Sequence, residues 1–114
     1  MKAKAPHWPL AQVQALVAAD SFIVQIGRAA TEFPTIGDAQ GAVKLTVKGL
    51  TTRAFAHSVQ LTYDLCDVYG VTRDGVGWYL KLCIDESVPE VAIISFHPLE
   101  RDLRTNGGTV KARK

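Results

Sequence analysis

Two histidines, a tyrosine and a spread of cations are the residues of this chain best suited to chemistry. They are His57, Tyr79 and His97, with Arg73, Lys81 and Arg101 near them in the sequence and Asp64, Asp67 and Tyr69 between. Such a set suits cleavage of RNA without a metal. A base takes the 2′-hydroxyl proton, an acid protonates the leaving oxygen, and a cation steadies the charged phosphorus centre. Imidazole fits both proton-transfer roles because its ordinary pKa near 6.5 leaves both forms available near neutrality. A zinc site made from Cys66, Cys83, His57 and His97 has ligands of the right softness, but it lacks the short paired loops that bring ligands together. No cofactor is expected: the chain has no phosphate-cradling glycine loop, no GxSxG, no HExxH and no dinucleotide fingerprint.

The elements that must position these residues centre on Cys66–Glu100. This stretch reads as three consecutive strands, with turns at Arg73-Asp74-Gly75 and at Asp85-Glu86-Ser87 before Pro89, the pattern of an antiparallel meander. From Val76 to Ile84, Trp78, Leu80, Leu82 and Ile84 alternate with Tyr79, Lys81 and Cys83, so one face is apolar and the other half polar. Val91–His97 repeats the alternation, with Ala92, Ile94 and Phe96 opposite Val91, Ile93, Ser95 and His97. If register follows the apolar pattern, Tyr79, Lys81 and His97 share the open face, and Trp78 belongs to the core.

Upstream, Pro6–Ala19 has the three- and four-residue apolar spacing of a helix, and Phe22–Ile26 reads as a short edge strand. Arg28–Phe33 has room for two helical turns before Pro34. Ala39–Lys48 is expected as a helix with Asp38 as its N-cap and Gly49 as its C-cap, and Thr51 is expected to cap a fourth helix running through Phe55 to Leu61. Helices first and an antiparallel sheet afterwards define an α+β domain.

With 114 residues there is room for one domain. The net charge of +2 is uneven. Residues 101–114 carry five basic side chains and one acidic, whereas the first 100 residues carry eight basic and ten acidic. The expectation is a single domain over 1–100 and a flexible basic tail over 101–114. The body has no strong nucleic-acid footprint by charge alone. No apolar run approaches the roughly 18 to 20 residues of a membrane span, MKAKAPHWPL has no apolar core of a secretory signal, and the two cysteines read as reduced core thiols. A cytoplasmic protein without membrane contact is expected.

Several stretches, in order, are similar to MqsR-family toxins of type II toxin–antitoxin systems: PHWPLAQVQALV, LTTRAFAHSV, DVY, GWYLKL and VAIISF. The likeness covers most of residues 6–97. It implies a RelE-like fold and an mRNA interferase that cleaves single-stranded mRNA, arrests translation and is silenced by a cognate antitoxin, with the ribosome as a further candidate partner. The family's active tyrosine corresponds to Tyr79. This chain has His57 and His97 where the family has lysines, and Cys66 where it has a glutamine. The implied catalytic residues are His57, Tyr79 and His97, and the substrate-binding set is Cys66, Tyr69, Arg73, Lys81 and Arg101. A second reading, from a different class, is a catalytically weak or inactive module that binds an antitoxin-like partner along a sheet edge.

Overall fold

A computed structural model describes residues 3–112. The first helix, α1 (Leu10–Ala18), starts behind Pro9 and buries Val13 and Val17, four residues apart, on one stripe. Asp20, at φ 62, turns the chain out of it, while the Ser21 N–H bonds back to the Leu16 carbonyl. Strand β1 (Phe22–Val24) follows at an edge, as expected, and α2 (Ile26–Ala29) is a single turn where two were expected. The long helix α3 (Ile36–Lys48) buries Ala39, Val43 and Val47 and leaves Leu45 exposed. Its cap is Thr35, not Asp38: the Thr35 hydroxyl accepts from the Asp38 N–H at 3.1 Å, and Asp38 adds its charge within the first turn.

The expected fourth helix does not form. Thr52–Ala54 makes one 3₁₀ turn, and β2 (Phe55–Gln60) then runs antiparallel to β3 (Leu65–Arg73). Local spacing of Phe55 and Val59 suited a helix, but pairing with a strand further along the chain prevailed. The meander is as expected. β3 turns into β4 (Val76–Asp85) through Asp74 and Gly75, both at positive φ as a two-residue hairpin demands, and β4 returns as β5 (Glu90–Pro98). The order is β1-β5-β4-β3-β2. All neighbours are antiparallel except β1 and β5, which makes the sheet mixed.

One sheet face packs on the helices. Tyr69, Leu80, Leu82, Ile84, Val91, Ile93 and Phe96 meet Val13, Val17, Val43 and Val47 there, with Trp78 at the margin of the core. Asp67 also lies fully buried, accepting from the His7 N–H at 3.0 Å, the Trp8 N–H at 2.8 Å and the Ser58 hydroxyl at 2.6 Å. The two amide bonds fasten the N-terminal segment to the sheet, and together with the Ser58 bond they satisfy a carboxylate that would otherwise be costly to bury.

Strict alternation along β5 fails at one point. Lys81 pairs with Ser95, but Leu82 pairs with Ile93, so Ile94 is an extra residue, a β-bulge. The bulge lets Val91, Ile93 and Phe96 all face the core and turns Ser95 and His97 to the other face. Ala56 is the corresponding extra residue in β2: Phe55 pairs with Tyr69 on the core side, and His57 pairs with Val68 on the other.

Part of the expected tail is folded. β6 (Leu103–Thr105) and β7 (Gly108–Val110) form a hairpin lying over β2 and β3 on the face away from the helices. Asn106 anchors it, donating to the Lys4 and Thr52 carbonyls and accepting from the Lys4 N–H. Arg113 and Lys114, also assigned to the tail, lie outside the described residues.

Candidate functional site

The face away from the helices is where the two bulges deliver their histidines. A cavity of about 470 Å³ opens there, lined by His57 from β2, Tyr79 and Lys81 from β4, Ser95 and His97 from β5, Arg28 from α2, and the crossing segment Leu99–Leu103. β5 and β2 are three strand spacings apart, about 14 Å of backbone separation. His97 and His57 therefore approach from opposite sides, with Tyr79 and Lys81 on β4, the nearer to β5 of the two strands between.

Tyr79 pairs directly with His97 across β4 and β5. Their rings stack at 5.2 Å between centroids and 13° between planes. Burial pushes the Tyr79 hydroxyl above its ordinary value, so at neutral pH the phenol is a proton donor. Lys81 Nζ sits 5.8 Å from the same ring.

His97 is held by both nitrogens. Nδ1 lies 2.8 Å from the Pro98 carbonyl, and Nε2 lies 2.9 Å from Arg28 Nη2. A guanidinium has only donors and a carbonyl only accepts, so these partners assign the proton to Nδ1 and leave Nε2 with its lone pair toward Arg28. Arg28 Nη2 also donates to Glu100 Oε1 at 3.1 Å. The rim thus carries three cations, Arg28, Lys81 and Arg101, against the carboxylates of Glu100 and Asp102. Asp102 is engaged already: the Ala112 N–H, with help from Lys111, holds its carboxyl below the usual range.

Five of the expected site residues, His57, Tyr79, His97, Lys81 and Arg101, line this cavity. The other three lie elsewhere. Tyr69 is fully buried on the helix side, edge-on to Phe55 at 5.6 Å. Arg73 is on that side too, its guanidinium 4.4 Å from the Trp78 ring centre. Both belong to the face that odd-numbered β3 residues present to the helices, because β3 has no bulge to redirect them. Cys66 is on the cavity side of the sheet but fully buried, and both it and Cys83 are free buried thiols. Burial raises both thiols, Cys83 to about 12, so neither is a nucleophile near neutrality. Among the described residues no group of three or more His, Cys, Asp or Glu side chains is placed to hold a metal ion.

Arg28 and Glu100 are the site residues that the sequence did not reveal. Arg28 is 69 positions from His97 along the chain, and no motif or spacing around it points to that partner.

Fold and site together define a small α+β protein with an imidazole- and cation-lined cleft on an open sheet face. A family model described as "Motility quorum-sensing regulator, toxin of MqsA" matches residues 5–98, most of the chain, which belongs to this MqsR toxin family and is thereby a toxin of the toxin–antitoxin type. Comparison with curated proteins returns no match. Among the described residues no helix is long and apolar enough to cross a membrane.

Proposed function

We propose that this toxin is an mRNA interferase that cleaves single-stranded mRNA in the cytoplasm, arrests translation and is held silent by a cognate antitoxin. The observation that carries this reading is the convergence of His57, Tyr79 and His97, from three different strands, on one cavity about the size of a nucleotide. In-line displacement at phosphorus puts the attacking and leaving oxygens on opposite sides, and the histidines occupy opposite sides of the cleft.

His97, with a lone pair on Nε2, suits the base that takes the 2′-hydroxyl proton. The O2′–P bond forms as the P–O5′ bond breaks, and His57 in its protonated form gives the 5′-oxygen its proton. Tyr79 donates to a nonbridging phosphate oxygen, and Lys81 and Arg101 hold flanking phosphates. The products are a 2′,3′-cyclic phosphate and a 5′-hydroxyl end. Each proton-transfer role is filled by a side chain, so the chemistry needs no metal.

The test is incubation of the purified protein with single-stranded RNA in excess EDTA, followed by end-group analysis. Cyclic phosphate ends are expected, with His57→Ala and His97→Ala each slower by about 10²- to 10⁴-fold. Transcripts left intact both in buffer and in a translating lysate overturn the reading and leave a binding module that works through its antitoxin.

A further inference from the structure

We propose that Arg28 is the phosphate clamp of this cleft, and that His97 and Glu100 occupy its donors in place of RNA until substrate arrives. This rests on the reading of the cleft as an RNA site.

Both bonds from Arg28 leave through one nitrogen, Nη2, at 2.9 Å to His97 Nε2 and 3.1 Å to Glu100 Oε1. Nε and Nη1 have no hydrogen-bond partner among the described residues, so the flat edge that grips an oxyanion with two parallel bonds is only half used. The pair is also exposed, with 64% of the Arg28 side chain and 75% of the Glu100 side chain open to solvent. An ion pair so exposed adds little to stability and exchanges partners readily.

Arg28 stands at a junction. A second cavity of about 580 Å³ lies beside the first, and the two share Arg28, His97, Leu99 and Glu100. A single strand laid through both has a nucleotide on either side of Arg28, and what joins two nucleotides is a phosphate. A phosphate oxygen is a stronger acceptor for guanidinium than a neutral imidazole, and it engages Nη1 as well.

Two consequences follow for the neighbours of Arg28. Once Arg28 turns to the phosphate, His97 Nε2 is uncovered and its lone pair is available for the 2′-hydroxyl proton. The Glu100 carboxylate, left beside a polyanion, swings toward solvent. In the unbound protein the base is therefore capped, and RNA itself removes the cap. Glu100 acts as a counterweight that weakens RNA binding.

The experiment measures binding of a fully 2′-O-methylated oligonucleotide, which cannot be cleaved through a 2′-hydroxyl, by fluorescence anisotropy over a range of salt. Cleavage of the unmodified strand is followed in parallel. Arg28→Ala is expected to weaken binding by about tenfold or more, the scale of one charge-assisted contact, and to flatten the salt dependence by about 0.7 in log–log slope. Arg28→Lys falls between, and Glu100→Gln tightens binding. Unchanged affinity and salt slope in Arg28→Ala overturn the proposal, and so does a Glu100→Gln variant as weak as Arg28→Ala, since the pair is then merely structural. Melting curves establish that each variant is folded, and if Arg28→Ala is not, Arg28→Lys and Glu100→Gln decide the matter. Binding that responds as expected without any cleavage by the wild type removes the interferase reading and leaves the clamp. Cleavage that survives Arg28→Ala undiminished, with binding unaltered, does the reverse.

Discussion

Tyr79 and His97 lie opposite one another on β4 and β5, their rings stacked 5.2 Å apart, so a phenol and an imidazole present adjacent edges to one cavity. Tyr79→Phe keeps the stack and removes only the hydroxyl. It is expected to leave stability within about 0.5 kcal/mol of wild type and to slow RNA cleavage by about 10²-fold, the scale of losing one hydrogen-bond donor to a charged oxygen of the reacting phosphate. Urea unfolding and single-turnover cleavage measure the two effects separately.

Tyr69 offers the contrasting case. Its hydroxyl is buried without a hydrogen-bond partner among the described residues, on the helix side of the sheet. Tyr69→Phe deletes that stranded group, so the expected outcome is a stabilisation of about 1 kcal/mol with RNA affinity unaltered. Weaker RNA binding by a folded Tyr69→Phe protein puts this residue back among the substrate contacts.

Asp67 accepts three hydrogen bonds with no exposure to solvent. Asp67→Asn turns one acceptor oxygen into a donor facing a donor. The expected cost is about 2–4 kcal/mol, from lost charge-assisted bonds and a donor left unpaired. Amide exchange at His7 and Trp8 should accelerate with it. A variant as stable as wild type, with both amides still protected, refutes the role given to this carboxylate.

Glycines at two positions should respond in opposite directions. A Cβ on Gly77 sits 2.1 Å from the Lys111 carbonyl oxygen and 2.8 Å from Leu99 Cδ1, against chain that crosses the sheet next to the site. Gly77→Ala is expected to cost about 1–3 kcal/mol, as overpacking does. Gly41, exposed in the middle of α3 with nothing within 4 Å of its Cβ position, should gain about 0.5–1 kcal/mol on mutation to Ala. Denaturant midpoints of the two variants moving the same way contradict the packing described.

Alkaline pH should unfold this protein early. Burial raises Cys66, Cys83, Tyr69 and Tyr79 above their ordinary values of 9.0 and 10.0. Above pH 9 the unfolded chain loses these protons while the native state keeps them, so the native state binds more protons and stability falls as pH rises. These groups contribute their full stabilisation below pH 9 and lose it progressively toward the value of about 12 for Cys83. A melting temperature that stays flat from pH 8.5 to 11 contradicts this.

The sequence by itself determined the α+β class, α1 and α3, the edge position of β1 and the Asp74-Gly75 hairpin. These depend on spacing, caps and turn chemistry among residues close along the chain. It also brought Tyr79, Lys81 and His97 together on one face. The tertiary structure decided the rest. Phe55–Gln60 became a strand because β3 was there to pair with, and the basic segment after Arg101 folded because the face over β2 and β3 accepted a hairpin. His57 joins Tyr79, Lys81 and His97 because Ala56 bulges, and a bulge exists only between paired strands, so no reading of β2 alone contains it; the Ile94 bulge likewise lets Val91 and Ile93 face the core together with Phe96. The bond from Arg28 to His97 is of the same kind: it spans 69 residues and follows from where α2 is set down on β5.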